Sequence, residues 1–495
     1  MSPHDGTAET ATAAGRVSSP GAQPAAPGRR LGLALLIIAA AQLMFTLDDT
    51  IVNVALPSMQ RSLHVPASSL NWAISFYALA FGGLLLAGGR AGDLFGRLRM
   101  FRAGLIVFTL ASVTGGLAVN ETMLVTARVV QGCGAALAAP CALSLLVATF
   151  PDGPARTKAL SVYGGMAGLG SVIGLLLGGT LVEYASWRWV LFINAPIAVA
   201  VLVGTGLGVL VPGDTQRGKL DVPGAVSVTL GIASLIYALT RGNTNGWADA
   251  GTLTAFAAGA VLLLAFAAVE RRSPAPMLPV SVIRDRNRGG AFTVLLLLGT
   301  GMLAMFYLLT LYMQVVRGYS ALHTGLSYLP FVVGTGLSVG IAPRLLAMLP
   351  ARAVVAAGMA INAGSLAWYA ATLTPESGYW SVLFPAMLPT GIGTGLVFVG
   401  CTALGTRGVA PRDSGVAAGL LNTSLQCGSA LGLGALAAIA SAVTRNQAAQ
   451  HPHAAALTSG YAAGLLAGAA IYAVGAIVAA LAINARLTAN EAAAH

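Results

Sequence analysis

Long apolar runs that recur along almost the whole chain are the feature that most limits how this sequence can fold. A bilayer core about 30 Å thick requires about 20 mostly apolar residues per helix, and the runs after residue 30 reach this length repeatedly. Only 9% of the 495 residues are charged, whereas a soluble globular chain carries about 25%. We therefore predict an all-α protein whose helices cross a membrane many times.

The length rule predicts fourteen transmembrane helices. They run approximately over residues 31–57, 70–90, 101–119, 122–150, 158–183, 189–211, 222–241, 251–270, 289–315, 324–345, 351–373, 380–403, 413–443 and 459–485. The longest charged connection, between residues 270 and 288, has eight predicted helices before it and six after it. This division is what two six-helix bundles with an inserted helix pair would give.

The predicted domains follow from this division. They are a disordered cytoplasmic tail over 1–30, an N-terminal six-helix bundle over 31–212, the inserted helix pair with its cytoplasmic loops over 213–288, a C-terminal six-helix bundle over 289–486 and a cytoplasmic tail over 487–495.

The basic residues test the helix count, because cytoplasmic loops of membrane proteins carry an excess of Lys and Arg. With the N-terminus inside, the predicted cytoplasmic segments contain 21 of the 27 basic residues and the outer segments contain five. The remaining one, Arg128, lies inside the fourth helix. A missed helix would invert this bias further along the chain, and no inversion occurs. The sequence therefore predicts a multi-pass protein of the cytoplasmic membrane with both termini in the cytoplasm.

Several other classes of protein are not indicated. The net charge of +11 comes from dispersed basic residues that form no patch, so we expect no nucleic-acid partner. The four cysteines form no Cys-x-x-Cys or Cys/His cluster, so no metal site is predicted. GDTQRGKL, from Gly213 to Leu220, nearly matches a phosphate-binding loop, but Leu replaces the hydroxyl residue that would bind magnesium. We expect a monomeric carrier without enzyme activity, catalytic residues or cofactor.

Two acids lie in the otherwise apolar first helix, within the segment LDDTIVNVALP. An acidic side chain at this depth costs about 2.5–3.5 kcal/mol on insertion scales and is usually functional. Asp49 and Asn53 share one helix face, and Asp48 points about 100° away from it. We predict that Asp48 and Asp49 take part in proton coupling, and the sequence leaves open which of them titrates. Solvation of a helix end is the alternative.

In the fourth helix, the segment ARVVQGCGAA places Arg128 and Gln131 on one face, three residues apart. An unpaired guanidinium inside a membrane is expensive. We therefore expect Arg128 to pair with one of the first-helix acids and to take part in proton coupling with it.

Glycines with four-residue spacing mark two further segments, and this spacing lets helix backbones approach closely. In GGRAGDLFGRLRM, after the second helix, they surround one acid among several arginines, which predicts a gating loop; an ordinary basic loop is the alternative. The gating residues are Gly88, Asp93, Gly96 and Arg97. In the fifth helix they predict a helix-packing seam. The seam residues are Gly170, Gly174, Gly178 and Gly179.

A cavity lining is predicted mainly from the ninth helix, in GMLAMFYLLTLYMQ. Flexible Met side chains and flat aromatic rings suit varied apolar ligands, although ordinary packing would use the same residues. The candidate lining residues are Asn53, Gln131, Met302, Met305, Phe306, Tyr307, Tyr312 and Gln314.

In this order, the segments LDDTIVNVALP, GGRAGDLFGRLRM, ARVVQGCGAA and GLLLGGTL resemble motifs of the major facilitator superfamily. More narrowly, they resemble its fourteen-helix drug:proton antiporters of the multidrug efflux type. The resemblance covers nearly the whole chain after residue 30 and implies two six-helix bundles that rock around a central cavity. The family's first-helix acid matches Asp48. Its fifth-helix pattern usually carries Gly-Pro, where this chain has Gly174 and Leu175.

The resemblance implies a proton-coupled antiporter that exports small, largely apolar or cationic drugs, antibiotics or metabolites by alternating access. Its partners would be the substrate, protons and the lipid bilayer. Two alternatives stay open, namely a proton-coupled symporter that takes up a solute and a dedicated exporter of one self-made metabolite.

Overall fold

The computed structural model describes residues 28–65, 67–150, 154–208, 210, 222–272, 284–409 and 414–485. Nearly all of these residues are helical, which confirms the prediction of an all-α protein for this part of the chain. Of the tail predicted over 1–30, residues 28–30 belong to the first helix and the rest lies outside the described residues, as does the tail predicted over 487–495.

The helices of the first half precede the long charged connection. They are α1 (Gly28–Leu63), α2 (Ala67–Phe95), α3 (Arg97–Gly116), α4 (Glu121–Thr149), α5 (Pro154–Tyr184), α6 (Trp189–Phe192), α7 (Asn194–Thr205), α8 (Val222–Asn245) and α9 (Ala250–Arg272). The helices of the second half follow it. They are α10 (Arg286–Leu311), a π-helical turn (Tyr312–Val316), α11 (Ala321–Ser327), α12 (Leu329–Met348), α13 (Ala351–Thr372), a second π-helical turn (Tyr379–Leu383), α14 (Phe384–Thr406), α15 (Ser414–Gln447) and α16 (His453–Ala482).

Short polar side chains begin several helices by accepting hydrogen bonds from the first free backbone N–H groups. Asn120 accepts from Met123 N at 2.9 Å and begins α4. Asp285 begins α10 in the same way. Apolar composition alone sets no helix start, so these caps help to define where α4 and α10 begin.

The helices form two bundles that follow the chain order. In the first, α1 packs against α5, α4 and α7, and α4 also packs against α2 and α3. In the second, α10 packs against α15 and α16, and α14 packs against α12 and α13. The α8–α9 hairpin lies against α2 and α15, where the two bundles also contact each other. Its assignment as an inserted pair between two six-helix bundles stays a prediction.

The turn of the α8–α9 hairpin is held by an ion pair. Arg241 Nε donates to Asp249 Oδ2 at 2.8 Å, and the same oxygen accepts from Thr252 N at 3.0 Å. The hydrogen bond from Arg241 holds the pKa of Asp249 below its usual range.

Ten helices in the described part of the chain are long and apolar enough to cross a membrane, and an eleventh is gained if the bent pair Phe76–Leu85 and Ala87–Phe95 is one span. Shorter apolar helices cover Ile173–Tyr184, Trp189–Thr205 and Val226–Leu239. Large apolar side chains on outer faces, such as Leu264 and Ile477, are more than half exposed, as expected where lipid covers them. The number fourteen stays a prediction.

The predicted glycine seam of α5 lies against α1. Gly170, Gly174 and Gly178 face the backbone carbonyls of Leu43, Leu47 and Ile51, one turn of α1 after another. Gly179 faces Ala321 and Leu322 of α11 instead, so the seam reaches the second bundle at its end. The seam thus connects α1 to the interface between the bundles.

The two bundles also meet where α5 ends and α11 begins. Leu322 N donates to Glu183 Oε2 at 3.1 Å across this interface. Gln314 Nε2 of the second bundle donates to Val54 O of α1 at 3.0 Å. We call this end, defined by Val54, Glu183, Gln314 and Leu322, the sealed end.

The seam yields a stability prediction. In Gly174→Ala the added Cβ would lie 2.9 Å from Leu47 O and would also collide with Thr50. Overpacking of this kind costs about 1–3 kcal/mol, so we expect the melting temperature of the purified protein in detergent to fall by several degrees.

The matched control is Gly336→Ala in α12, where a Cβ would meet no atom within 4 Å. Alanine favours the helix more than glycine does, so this variant should melt at or above the wild-type temperature. Equal melting temperatures for the two variants would contradict close packing at the seam.

Candidate functional site

A polar cluster lies buried where α1, α3, α4 and α7 meet. Its members are Asp48 of α1, Ser112 of α3, Arg128 and Gln131 of α4, and Asn194 of α7. None of them is more than 1% exposed. Buried polar groups are stable only when they are hydrogen-bonded to one another, so the contacts within the cluster decide its chemistry.

The centre of the cluster is an ion pair. Arg128 Nη1 donates to Asp48 Oδ2 at 2.7 Å. The other carboxylate oxygen, Asp48 Oδ1, accepts from Gln131 Nε2 at 2.8 Å and from Asn194 Nδ2 at 2.7 Å. The expected pairing of Arg128 with a first-helix acid is therefore present, and its partner is Asp48.

The remaining contacts orient these side chains. Gln131 Oε1 accepts from Arg128 Nη1 at 2.9 Å, because the two residues share one face of α4. Ser112 Oγ accepts from Asn194 Nδ2 at 3.0 Å and donates to Leu191 O at 2.8 Å. Each of the four helices in the cluster is thereby joined to at least one other by side-chain hydrogen bonds.

Tyr77 of α2 closes one side of the cluster. The guanidinium carbon of Arg128 lies 4.0 Å from the centroid of the Tyr77 ring, in a cation–π arrangement. Ser112, Asn194 and Tyr77 were not identified from the sequence. Asn194 is a lone Asn within an apolar run at the start of α7, and such a residue does not reveal its partner.

Asp49 lies outside this network. It is partly exposed, and among the described residues no hydrogen bond to its carboxylate is formed. Asn53, one turn further along α1, donates from Nδ2 to the main-chain oxygen of Asp49 at 3.1 Å. The two adjacent acids therefore have different surroundings, and only Asp48 is enclosed by donors.

Three of the predicted gating residues, Asp93, Gly96 and Arg97, lie at the turn between α2 and α3, and Gly88 lies earlier in α2. Asp93 Oδ1 accepts from Arg97 Nε at 3.1 Å and from Arg97 Nη2 at 2.9 Å. Gly96 has φ of 99°, a left-handed conformation that favours glycine. Gly88 lies against the backbone of Ala136 in α4. The turn is tightly built, and its gating role stays a prediction.

Most of the predicted cavity-lining residues are packed in the second bundle. Met305, Phe306, Tyr307 and Tyr312 are at most 5% exposed. Phe306 contacts the rings of neighbouring aromatic residues, and Tyr312 Oη donates to a main-chain oxygen. Met302 is partly buried, Gln131 belongs to the polar cluster and Gln314 to the sealed end. A lining role for this set stays a prediction.

A metal centre is not indicated by the described ranges, in which no three His, Cys, Asp or Glu side chains are grouped to hold an ion. The site is thus a buried ion pair inside a helical, membrane-spanning protein of two bundles. A buried ion pair among long apolar helices is typical of a membrane transporter.

Comparison with known proteins identifies the family. The family model described as Major Facilitator Superfamily matches residues 38–433. The chain therefore belongs to the major facilitator superfamily.

Its relatives include antibiotic resistance and export transporters of this superfamily. The chain is 40% identical to the puromycin resistance protein of Streptomyces alboniger, over 86% of this chain and 85% of that protein. It is 39% identical to the cephamycin export protein of Amycolatopsis lactamdurans, over 84% of this chain and 86% of that protein. It is 31% identical to the tetracenomycin C resistance and export protein of Streptomyces glaucescens, over 81% and 74%.

Solved structures share the fold at low sequence identity. A bacterial homologue of the human lysosomal transporter Spinster matches with a TM-score of 0.65 at 16% identity, over 93% of this chain and 98% of that one. A peptide transporter of the POT family matches with a TM-score of 0.65 at 14% identity, over 91% and 97%. These likenesses show the fold of the chain and no more.

The ion pair yields a second prediction. Arg128→Met leaves Asp48 buried beside two neutral amides, and breaking a buried pair in this way costs about 3–5 kcal/mol. We expect a large drop in melting temperature, which the double variant Asp48→Asn with Arg128→Met should largely reverse.

Arg352→Met, at an exposed arginine of α13, serves as the control and should melt like the wild type. If the double variant lost as much stability as the sum of its two single changes, the pair would not be the interaction that matters.

Proposed function

We propose that the protein is a proton-coupled antiporter that exports small, largely apolar or cationic molecules, including antibiotics, by alternating access. The observation that carries this proposal is the ion pair of Asp48 and Arg128, enclosed among membrane helices. A charge pair in such a place is usually functional, because it is expensive to keep there. The export direction is supported by relatives named for antibiotic resistance and export.

In the proposed mechanism Asp48 carries the proton. Protonation removes its charge, so the ion pair with Arg128 becomes a weaker hydrogen bond and the cluster loosens. Asp48 is next to Leu47 on α1, and Leu47 lies against Gly174 of α5. Since α5 reaches α11 at the sealed end, a change at Asp48 is close to the interface that must open. Such coupling between a charge change and a bistable interface is common in switching proteins.

The proton gradient can supply enough energy for this work. One charge that moves inward across 100 mV releases about 2.3 kcal/mol, which corresponds to roughly a fiftyfold concentration ratio. Substrate would bind while Asp48 is unprotonated, and a proton from outside would favour substrate release.

The topology is part of the proposal. We propose fourteen membrane helices, with both termini in the cytoplasm and the protein in the cytoplasmic membrane as a monomer. The sealed end then faces outward, because α1 and α5 both run from inside to outside in this arrangement.

A dedicated exporter of one self-made metabolite is the second candidate function. Several relatives are named for a single antibiotic, such as cephamycin or tetracenomycin C. A susceptibility panel of unrelated antibiotics in an efflux-deficient host distinguishes the two, since a dedicated exporter protects against one compound class.

Transport by Asp48→Asn tests the mechanism. Proteoliposomes that contain the wild type and are preloaded with substrate should lose it when an inward proton gradient is imposed, and the variant should lose it at least tenfold more slowly. The amide cannot take up the proton, so the imposed gradient no longer drives the cycle.

Glu376→Gln, at an exposed acid in the loop before the second π-helical turn, is the matched control and should transport normally. Gradient-driven efflux at the wild-type rate in Asp48→Asn would refute its coupling role. Accumulation of substrate by the wild type would indicate a symporter instead.

The gating loop gives a separate kinetic prediction. Asp93→Asn removes the ion pair with Arg97 and should lower the maximal transport rate several-fold while changing substrate affinity by less than about twofold. Initial rates over a range of substrate concentrations measure both quantities. A large affinity loss at an unchanged maximal rate would contradict a gating role.

A further inference from the structure

The aromatic ring of Tyr77 lies against the charged end of Arg128. The guanidinium carbon is 4.0 Å from the centroid of the ring, and Tyr77 is only 1% exposed. A cation in this position is attracted to the negative face of the ring, and the attraction is stronger when both groups are shielded from water. Tyr77 is therefore an electrostatic partner of Arg128 as well as a packing neighbour.

Close contact between α2 and α4 fixes the position of this ring. A Cβ added at Gly132, one turn after Arg128, would lie 2.6 Å from the main-chain oxygen of Tyr77. The Tyr77 ring also packs against Phe81, one turn further along α2, with the ring centroids 6.0 Å apart. The ring is thereby held beside the guanidinium by main-chain and side-chain packing.

The hydroxyl group of Tyr77 takes no part in holding the ring. Tyr77 Oη is buried and has no hydrogen-bond partner among the described residues. Most buried polar atoms do have a partner, so this hydroxyl is an exception. Because the ring face alone contacts Arg128, a phenylalanine at this position would make the same contact.

Protonation of Asp48 changes the charge that faces Arg128. In the described part of the chain, the charged groups that act on Tyr77 are Asp48 and Asp49 of α1 and Arg128 of α4. The cluster residues of α3 and α7 are neutral. When Asp48 takes up a proton, Arg128 keeps its charge but loses the opposite charge of Asp48. The ring face stays beside the cation in both states, so its attraction counts most in the protonated state.

We propose that Tyr77 is a positioning residue for proton coupling, whose ring holds the Arg128 guanidinium in place while Asp48 is protonated. This inference rests on the proposed proton-coupled transport and adds a residue to it. Held in this position, the guanidinium can pair with the Asp48 carboxylate again when the proton leaves. The ring also makes protonation easier, because it stabilises the cation that protonation deprives of the Asp48 charge.

Titration of Asp48 in the purified full-length protein tests this role without any transport. Infrared spectroscopy in detergent follows the carbonyl stretch of protonated carboxyl groups, and the part of the signal that is absent from Asp48→Asn belongs to Asp48. In Tyr77→Leu, the pH at which Asp48 is half protonated should fall by about half a pH unit or more, as expected for loss of a desolvated cation–π contact. In Tyr77→Phe it should stay at the wild-type value, because the ring face remains.

Phe108→Leu is the matched control, because it removes another fully buried ring of the first bundle, one that packs edge-on against Phe45. It should lower the melting temperature much as Tyr77→Leu does and leave the titration of Asp48 unchanged. If Tyr77→Leu does not fold, incorporation of trifluorophenylalanine at position 77 replaces it. This residue keeps the shape of the ring but weakens its negative face, so it should shift the titration in the same direction.

Three results would overturn the role of Tyr77: an unchanged Asp48 titration in Tyr77→Leu or in its fluorinated substitute, an equal shift in Tyr77→Phe, or an Asp48 that takes up no proton while the protein stays folded. Proton-driven efflux from proteoliposomes is measured on the same variants. Working efflux with an unchanged titration would reject the role of Tyr77 alone. A shifted titration without proton-driven efflux would reject the proposed transport and keep the effect of Tyr77 on Asp48.

Discussion

The contact between Arg128 and Asp48 is the interaction on which the first bundle depends. Two charges have been removed from water, and their attraction and hydrogen bonds must offset that desolvation. The cluster achieves this by joining four helices. Gln131 and Asn194 donate hydrogen bonds to the second carboxylate oxygen of Asp48, and Ser112 connects Asn194 to α3. Any step that changes the charge of Asp48 therefore acts on four helices at once.

The same helix that carries Asp48 packs closely on α5, so that main-chain oxygens of α1 lie against its glycines. Gly174 lies against Leu47, directly beside the acid in the chain, and Gly179 lies against Leu322 in the second bundle. Glycine is needed here because backbone atoms occupy the space of a Cβ. Closely packed residues of α1 and α5 thus connect the charged cluster to the interface between the bundles. The usual proline after Gly174 is absent, and the seam still packs on α1 along three turns.

Part of the site could be predicted from the sequence, because those predictions need only the cost of an unpaired charge and the spacing of residues within one helix. A guanidinium within a membrane needs a partner, and the sequence offers two adjacent acids, so the pairing of Arg128 was predictable. Gln131 followed from its spacing to Arg128. Asn194 and Ser112 could not be found in this way, since a single Asn or Ser in an apolar helix reveals no partner. The glycine spacing predicted a seam in α5, but not that α1 would fill it.

The prediction of cavity-lining residues shows that residue types alone do not distinguish a ligand pocket from a helical core. Met305 and Phe306 have the chemistry of a ligand pocket, yet the same side chains fill a helical core, and the structure buries both. The order of the long helices followed from apolar length, whereas the bent and shorter helices fall below that criterion. The division into two six-helix bundles and an inserted pair was predicted from the longest charged connection and stays a prediction.

We propose that substrate binding favours the unprotonated form of Asp48, and proton release on substrate binding tests this proposal most directly. Purified protein in weakly buffered detergent solution is mixed with a saturating substrate while the pH is recorded. The account predicts that protons are released by the wild type and not by Asp48→Asn. Substrate binding without any release of protons, over the pH range in which transport operates, would contradict it.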